Sequence, residues 1–168
     1  MGELANFPLF VPKPPLAVTV TSWNQLNSLN RKASEITIPS NSMKDASLTV
    51  LDLSRFRRLK KLVIGDECFM HVNETRLTGL YYLESVEIGM NSFTQHKYAW
   101  YDIAPDPNRH FYLKNCPKLR SLRIGDYSFN DYTVIEIENV DALEVIEMGN
   151  VNFAHASLEL KSILIHSE

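Results

Sequence analysis

The stretch Leu83-Glu-Ser-Val86-Glu-Ile88-Gly89-Met-Asn-Ser92-Phe93 decides the fold, because its pattern of apolar and small residues recurs along the chain. Three segments align with it without gaps, and a weaker copy precedes them. These four copies span residues 33–43, 59–69, 119–129 and 143–153. The starts of the five copies are separated by 26, 24, 36 and 24 residues. The repeat unit is therefore 24 residues long, and one unit is lengthened by about 12.

A second apolar run accompanies each copy, as in Leu51-Asp-Leu53 and Ile135-Glu-Ile137. Each repeat thus contains two short runs with the period of two that is typical of β-strands. A strand this short cannot bury its apolar face alone, so it must stack on the equivalent strand of the next repeat. Two buried rows are predicted. One contains Ile38, Ile64, Ile88, Ile124 and Met148, and the other contains Phe69, Phe93, Phe129 and Phe153.

The pattern Leu-x-x-Leu-x-Ile, as in Leu119–Ile124, resembles the strand signature of leucine-rich repeats. The block Ile88-Gly-x-x-Ser-Phe93 is similar to the Ile-Gly-x-x-Ala-Phe block of the BspA-type branch of that family. The resemblance covers roughly residues 33–165, with glycine where the family often has proline after the strand. It implies adhesion or protein recognition and offers no catalytic residues to carry over.

These patterns predict a mainly β fold, a parallel β-solenoid of leucine-rich repeats with about five coils of 24 residues. A short N-terminal capping helix is expected after Ser22, because Leu26 and Leu29 are three apart and serine is a favoured N-cap. Residues 1–17 are predicted to form a proline-rich arm. Residues 18–168 are expected to form the solenoid, with a loop insertion at 94–110.

Composition excludes several classes of partner. A formal net charge of −3 with a pI near 6.0 gives no basic footprint for nucleic acid or for an anionic membrane. The sequence contains no signal peptide and no apolar run of about 18 residues. Two cysteines, Cys68 and Cys116, are typical of a reducing compartment. We therefore expect a cytoplasmic protein that binds neither nucleic acid nor membrane.

Motifs for cofactor or metal chemistry are not found in the sequence. There is no glycine-rich phosphate loop and no Cys-x-x-Cys pair. Cys68 and His71 make half a zinc site at most, and Cys68 occupies the position that Ser92 holds in the next repeat. A hydrolytic cluster on the insertion would use four residues, Asp102, Asp106, His96 and His110. They lie within one loop and not on adjacent coils, so we predict no enzyme, no cofactor and no metal.

Two sets of residues are candidates for binding a partner. The first set lies at outward positions of the repeated strand and alternates basic and acidic from repeat to repeat. It contains Lys60, Lys61, Glu84, Glu87, Arg120, Arg123, Glu144 and Glu147. It is either a self-satisfied ionic ladder or a recognition face, since neighbouring strands are about 4.8 Å apart. The second set is Tyr98, Trp100 and Tyr101 of the insertion. These aromatics either pack back on the fold, contact a partner or belong to a disordered loop.

The function predicted from the sequence is a non-enzymatic protein-binding scaffold of leucine-rich-repeat type, whose partner is another protein. The alternatives are a structural subunit of a larger assembly and a carbohydrate-active β-solenoid enzyme. Leu160 and Ile163 begin a further coil that the sequence does not close. We therefore also expect self-association, or a continuation of the sequence, at this C-terminal edge.

Overall fold

The computed structural model describes residues 16–98 and 104–161 of the chain. These residues form eleven strands and one helix. In chain order the elements are β1 (Ala17–Thr19), α1 (Trp23–Ser28), β2 (Glu35–Ile38), β3 (Val50–Asp52), β4 (Lys61–Ile64), β5 (Glu74–Thr78), β6 (Ser85–Ile88), β7 (Asp106–Lys114), β8 (Ser121–Ile124), β9 (Tyr132–Glu138), β10 (Val145–Met148) and β11 (Ser157–Lys161).

The strands pair in parallel into two sheets. The six-stranded sheet has the order β1-β2-β4-β6-β8-β10, and the five-stranded sheet has the order β3-β5-β7-β9-β11. From β2 onward, consecutive strands alternate between the two sheets, so each repeat adds one strand to each sheet. The repeat alignment sets the register, since Val86 pairs with Leu62 on one side and with Leu122 on the other.

This topology corrects the predicted fold class, a parallel β-solenoid of about five leucine-rich-repeat coils. A leucine-rich repeat supplies one strand and returns through a helix or a 3-10 turn. Here the returning segment is itself a strand, and the two sheets contain six and five strands. Helix is nearly absent from the described part of the chain, where α1 has six residues. Both apolar runs of a repeat have a period of two, so both satisfy their backbone groups by pairing with the next repeat. The chain is a two-sheet parallel β fold.

The inward side chains of both sheets pack into one hydrophobic core. Leu62 and Leu122 reach it from the six-stranded sheet, and Leu77 and Leu113 reach it from the five-stranded sheet. None of these four side chains is more than 1% exposed. Burial of an aliphatic side chain of this size contributes about 1.5–3 kcal/mol, so the core is the main source of stability.

A row of stacked phenylalanines fills the turns that follow the six-stranded sheet. The successive ring centroids of Phe69, Phe93, Phe129 and Phe153 are 4.9, 4.5 and 4.8 Å apart, and the rings are nearly parallel. Phe111 of β7 meets Phe129 edge-on at 5.1 Å and joins the row to the other sheet. The predicted phenylalanine row is confirmed, with Phe153 partly buried at its end.

The predicted isoleucine row is confirmed in four of its five members. Ile38, Ile64, Ile88 and Ile124 are at most 3% exposed, whereas Met148 is 41% exposed. Met148 lies on β10, which is the last strand of its sheet in the described residues. The prediction for Met148 was wrong because the side chains of an edge strand lack the neighbouring repeat that covers the others.

Glycine follows each of β4, β6, β8 and β10 because adjacent turns approach each other closely. A Cβ atom added to Gly89 would lie 2.2 Å from Oδ1 of Asp66 and 2.6 Å from its backbone nitrogen. No side chain fits in this space. The left-handed conformation falls instead on residues two and four places further on, such as Asn91 (φ 52°) and Phe93 (φ 56°).

Small polar side chains connect these turns through hydrogen bonds. The backbone N–H of Cys68 donates to Oγ of Ser92 at 3.1 Å, and that of Ser92 donates to Oγ of Ser128 at 3.1 Å. The N–H of Ser128 donates in turn to Oδ1 of Asn152 at 3.0 Å. Oγ of Ser92 also donates to the carbonyl of Gly65 at 2.9 Å. The small residue before each phenylalanine therefore satisfies backbone groups that the strands leave unpaired.

The N-terminal helix α1 lies where the sequence placed it. Oγ of Ser22 accepts a hydrogen bond from the N–H of Gln25 at 3.3 Å, and Leu26 is buried at 1% exposure. The predicted arm, residues 1–17, lies outside the described residues apart from Leu16 and Ala17. In the described ranges no helix combines the length and the apolar character that crossing a membrane requires.

Candidate functional site

The predicted charged residues lie side by side on the outer surface of the six-stranded sheet. Four of them lie on or next to β4 and β6, and four lie on or next to β8 and β10. We call the eight residues together the mixed-charge face: Lys60, Lys61, Glu84, Glu87, Arg120, Arg123, Glu144 and Glu147. Pairing places Arg123 between Glu87 and Glu147, one strand away on each side. Backbone hydrogen bonds likewise join Arg120 to Glu84 and to Glu144, each at 2.9 Å.

On β8 and β10 the charges pair with each other. Nη2 of Arg120 is 2.9 Å from Oε1 of Glu144, and Nε of Arg123 is 2.7 Å from Oε2 of Glu147. The Glu147 carboxylate raises the pKa of Arg123, and the pKa of Glu147 is lowered by the hydrogen bond from Arg123. All four side chains are about half exposed or more. These pairs fix the register more than they stabilise the fold, since exposed ion pairs contribute about 0–1 kcal/mol.

Around β4 and β6 the charges are not paired. Lys60, Lys61, Glu84 and Glu87 are all exposed. Across residues 16–98 and 104–161, no salt bridge joins either lysine to either glutamate. We call these four residues the open half of the mixed-charge face. The charges on or next to β8 and β10 therefore form an ionic ladder. The four charges of the open half form no such ladder, so a recognition role stays a prediction for them.

The outer surface of the five-stranded sheet differs in this respect. Arg76 of β5 contacts Glu74 and lies 4.0 Å from Asp52 of β3. Lys114 of β7 contacts Glu136 and lies 3.5 Å from Glu138 of β9. That surface satisfies many of its own charges, so the unpaired charges of the open half are a property of one sheet and not of the whole fold.

A groove of about 560 Å³ runs along the edge of the mixed-charge face, where the strands end in glycine. Its lining includes Glu87, Arg123 and Glu147 together with the glycines at which adjacent turns approach each other. The groove spans four repeats, from Val63 to Gly149. It offers a polar wall beside an accessible backbone, which suits an extended polypeptide better than a compact ligand.

The start of the insertion lies against the same turns. The N–H of Tyr98 donates to Oδ1 of Asn91 at 2.8 Å, and its ring meets that of Tyr127 edge-on at 5.9 Å. Asn91 and Tyr127 each follow a groove glycine by two residues. Tyr98 nevertheless remains 56% exposed. Trp100 and Tyr101, the other aromatic candidates, lie outside the described residues.

The end of the insertion is strand and not loop. Residues 106–110 are the first part of β7, which pairs with β9 through a register shift between Asp106 and His110. Arg109 of this segment is fully buried, and its Nη1 donates to both carboxylate oxygens of Asp131 at 2.9 and 3.0 Å. The guanidinium also lies over the ring of Tyr132, 5.4 Å from its centroid. Residue type and spacing did not predict this pair. Asp131 carries no signal of its own in the sequence, because the first repeat also has an aspartate, Asp45, at the equivalent position.

The described residues of the hydrolytic cluster considered for the insertion are His96, Asp106 and His110, and they do not come together as a metal-binding group. Nε2 of His110 is 2.9 Å from the carbonyl of Pro107, and Nδ1 is 3.0 Å from the Tyr112 hydroxyl. Within the described ranges, no three histidine, cysteine or acidic side chains come together as metal ligands would. Asp102 lies outside those ranges.

Both cysteines are buried and unpaired. Burial raises the pKa of the Cys116 thiol to about 11 and also raises that of Cys68. A thiol that stays protonated at neutral pH is a poor nucleophile and a poor metal ligand.

Two exposed tyrosines were not predicted from the sequence. Tyr81 and Tyr82 are 52% and 49% exposed at the turn between β5 and β6. Nζ of Lys118 from the next repeat lies 4.8 Å from the centroid of the Tyr82 ring. The spacing of Leu80 and Leu83 indicates this exposure. Both leucines are buried, so the two residues between them face the solvent.

Comparison of the chain with protein-family models, with curated proteins and with solved structures finds no match.

Proposed function

We propose that this chain is a non-enzymatic protein-binding module. Its recognition surface is the mixed-charge face together with the adjoining groove, and its partner is another protein. The observation that carries the proposal is the open half of the face, whose four exposed charges form no salt bridge with one another.

Unpaired charges in alternating rows favour recognition. Lys60 and Lys61 lie one repeat from Glu84 and Glu87, so strips of opposite sign run side by side. A partner with the complementary alternation of charge gains attraction in one register and repulsion when shifted by one strand. Complementary potentials of this kind supply specificity and fast association more than raw affinity. The groove adds apolar contact and backbone groups beside the charges.

One sequence feature agrees with this proposal. The insertion carries the aromatic side chains Tyr98, Trp100 and Tyr101, which are typical of binding hot spots. A cytoplasmic location belongs to the same proposal, supported by two buried cysteines that form no disulfide.

The proposal is tested by exchanging charges in the open half while the net charge stays constant. A variant with Lys60→Glu, Lys61→Glu, Glu84→Lys and Glu87→Lys keeps the composition and inverts the pattern. A partner is first identified by cross-linking in the native cell, and the two purified proteins are then titrated by calorimetry. The variant should bind at least about tenfold more weakly. Its thermal midpoint should fall only slightly, because Glu84→Lys and Glu87→Lys place exposed positive charges beside Arg120 and Arg123.

The matched control inverts charges on the other sheet, with Glu74→Lys and Arg76→Glu. Binding of the control should equal that of the natural chain. Equal affinity of the open-half variant and the natural chain, or an equal loss in both variants, contradicts the proposal.

The insertion is tested separately. If its aromatics contact the partner, Trp100→Ala and Tyr101→Ala should each weaken binding by about 2 kcal/mol or more and leave stability nearly unchanged. A large loss of stability with intact binding would instead assign them a packing role.

A further inference from the structure

A turn of the same kind precedes each of β2, β4, β6 and β8. In each turn a backbone N–H donates to the carbonyl three residues before it, at 3.0, 2.9, 3.0 and 3.1 Å in chain order. The residue that donates is buried, and the two residues before it are exposed. These exposed pairs are residues 31–32, 57–58, 81–82 and 117–118. Because the strands are parallel, the pairs lie next to one another along one edge of the mixed-charge face, and the groove lies along the opposite edge.

Most of these exposed side chains are basic or aromatic. The four turns carry five lysine or arginine side chains and two tyrosines, and the remaining residue is Pro117. We call the charged and aromatic residues together the basic stripe: Arg31, Lys32, Arg57, Arg58, Tyr81, Tyr82 and Lys118. Neighbouring strands are about 4.8 Å apart, so the stripe is roughly 14 Å long.

The cations of the basic stripe have no acidic partner. Across residues 16–98 and 104–161, none of the five takes part in a salt bridge. Nη1 of Arg57 donates to the carbonyl of Gly79 at 3.4 Å, and Nζ of Lys118 lies 4.8 Å from the centroid of the Tyr82 ring. Neither contact neutralises a charge. The stripe thus concentrates positive charge on a chain whose formal net charge is −3.

The two tyrosines lie in the middle of the stripe. Tyr81 and Tyr82 are 52% and 49% exposed, with the arginine pair of the preceding repeat on one side and Lys118 on the other. Tyrosine offers a large, stiff contact area at a low cost in conformational entropy. A ligand that matches the stripe therefore combines acidic groups with an apolar group near its centre.

An extended polypeptide has suitable dimensions for this surface. It rises about 3.3 Å per residue, so roughly four or five residues span the stripe. The guanidinium groups of Arg57 and Arg58 are suited to carboxylates, which they can bind through two parallel hydrogen bonds. Aspartate or glutamate side chains of a partner would supply these carboxylates.

A nucleic-acid strand matches the stripe less well. Asp141 is exposed in the turn that precedes β10, and Glu84 is exposed two residues after Tyr82. A phosphate backbone that continues beyond the stripe brings its negative charges towards these carboxylates and towards a chain of net negative charge. A short acidic segment ends within the stripe and avoids this repulsion.

We propose that the basic stripe binds a short, extended segment of another protein, in which glutamate or aspartate residues flank an apolar residue. The carboxylates pair with the five cations, and the apolar side chain packs on Tyr81 and Tyr82. The inference rests on the proposed function in treating the partner as a protein, but the stripe is a different surface from the open half.

The experiment uses the fluorescein-labelled peptide Gly-Glu-Glu-Leu-Glu-Glu-Gly, titrated with the purified full chain and followed by fluorescence anisotropy. One control peptide has glutamine in place of each glutamate, and another has glycine in place of leucine. A stripe variant, Arg57→Gln with Arg58→Gln, removes two of the cations. Its matched control, Arg76→Gln with Lys114→Gln, removes two cations from the outer surface of the five-stranded sheet, so both variants have the same net charge.

The glutamate peptide should bind the natural chain at least about tenfold more tightly than the glutamine peptide, because the latter forms no charge-assisted hydrogen bonds. The stripe variant should lose at least about tenfold in affinity for the glutamate peptide, and the control variant less than about twofold. A second stripe variant, Arg31→Gln with Lys32→Gln, should also weaken binding and does not touch the contact of Arg57 with Gly79.

The role of the tyrosines has its own readout. Tyr81→Ser with Tyr82→Ser should weaken binding of the leucine-containing peptide by roughly threefold or more, since it removes the aromatic surface. The same variant should bind the glycine-substituted peptide as the natural chain does. Equal losses for both peptides would show that the tyrosines do not contact the apolar residue.

These titrations use no native partner, so the two proposals can fail separately. Intact peptide binding, together with native binding that the open-half exchange leaves unchanged, contradicts the proposed function alone. The opposite combination contradicts this inference alone.

Three outcomes overturn the inference. Equal binding of the glutamate and glutamine peptides, or an equal loss in the stripe variant and its control, shows that the stripe does not recognise carboxylates. Tighter binding of a short oligothymidylate that is lost in the stripe variant assigns the stripe to nucleic acid. Concentration-dependent dimerisation in light scattering that is lost in the stripe variant assigns it to a second copy of the chain.

Discussion

Arg109 and Asp131 form an ion pair inside the fold, with Nη1 of the arginine 2.9 Å from Oδ1 of the aspartate. Their side chains are 0% and 3% exposed. Nη1 also donates to the carbonyl of Phe93 at 3.2 Å, and Oδ2 of Asp131 accepts the N–H of Gln95 at 3.1 Å. The pair therefore holds both ends of the insertion against the repeat that follows it.

Loss of the carboxylate should be costly. Asp131→Ala removes the buried counter-ion of Arg109 and leaves only Asp106, which is 38% exposed and 4.0 Å away, so the free energy of unfolding should fall by about 3–5 kcal/mol. Urea denaturation followed by circular dichroism measures the change. Glu144→Ala, which breaks the exposed pair with Arg120, serves as the control and should cost less than about 1 kcal/mol. Similar small losses in both variants would show that the buried pair does not anchor the insertion.

Phe93 occupies the middle of the aromatic row, between Phe69 and Phe129. Phe93→Ala opens a cavity in a region with 0% exposure and is expected to cost about 3–5 kcal/mol in thermal or urea unfolding. Phe153→Ala should cost less, because Phe153 is only partly buried at the end of the row. If the two substitutions cost the same, the stack is not continuous in solution.

Ser92 satisfies two backbone groups at once, the N–H of Cys68 and the carbonyl of Gly65. Ser92→Ala leaves both groups without this partner in the interior, and a loss of about 1–3 kcal/mol is expected from equilibrium unfolding. The control Ser121→Ala changes an outward serine of β8 and should stay within about 0.5 kcal/mol of the natural chain. An equally small effect at Ser92 would mean that water replaces the hydroxyl.

Val151 has a φ of 58°, in the left-handed region that β-branched residues avoid. The equivalent turn positions of two other repeats hold Asn41 and Asn91 with φ values of 63° and 52°. Val151→Asn should therefore raise the free energy of unfolding by about 1 kcal/mol, read as an increase in the thermal midpoint. Val145→Asn, in the extended strand β10, should give no increase. Destabilisation by Val151→Asn would place the strain elsewhere in the turn.

Features that depend on local periodicity were predictable from residues alone. The alignment of Ile88 with Ile124 spans the insertion correctly, and the two side chains are paired neighbours in the structure. Alternation with a period of two forces one set of side chains inward and the other outward. The exposed charges of Glu87 and Arg123 follow from this rule, and the phenylalanine stack follows from the alignment of the repeats.

The burial of Arg109 was not predictable in this way, although the second strand of each repeat was, from its period of two. The resemblance to leucine-rich repeats concerned one strand of each repeat, and the fold class drawn from it was wrong because the returning segment pairs into a full second sheet. Arginine is usually exposed, so the residue type predicts a surface position for Arg109. Arg109 is buried because a register shift in β7 brings it to Asp131. Arg109 and Asp131 are 22 residues apart in sequence, so their contact depends on how the strands lie against each other. The alternation of residues along one strand carries no information about that arrangement.

For the candidate site, the sequence by itself determined which charges share one face, because side-chain direction alternates along a strand and the repeat sets the register. Only the tertiary structure decided which of those charges are engaged. Arg120 and Arg123 reach carboxylates on β10, whereas Lys60 and Lys61 form no salt bridge with Glu84 or Glu87 in the described residues. An ion pair requires side-chain ends within a few ångströms, and that distance depends on rotamers and sheet geometry as well as on register.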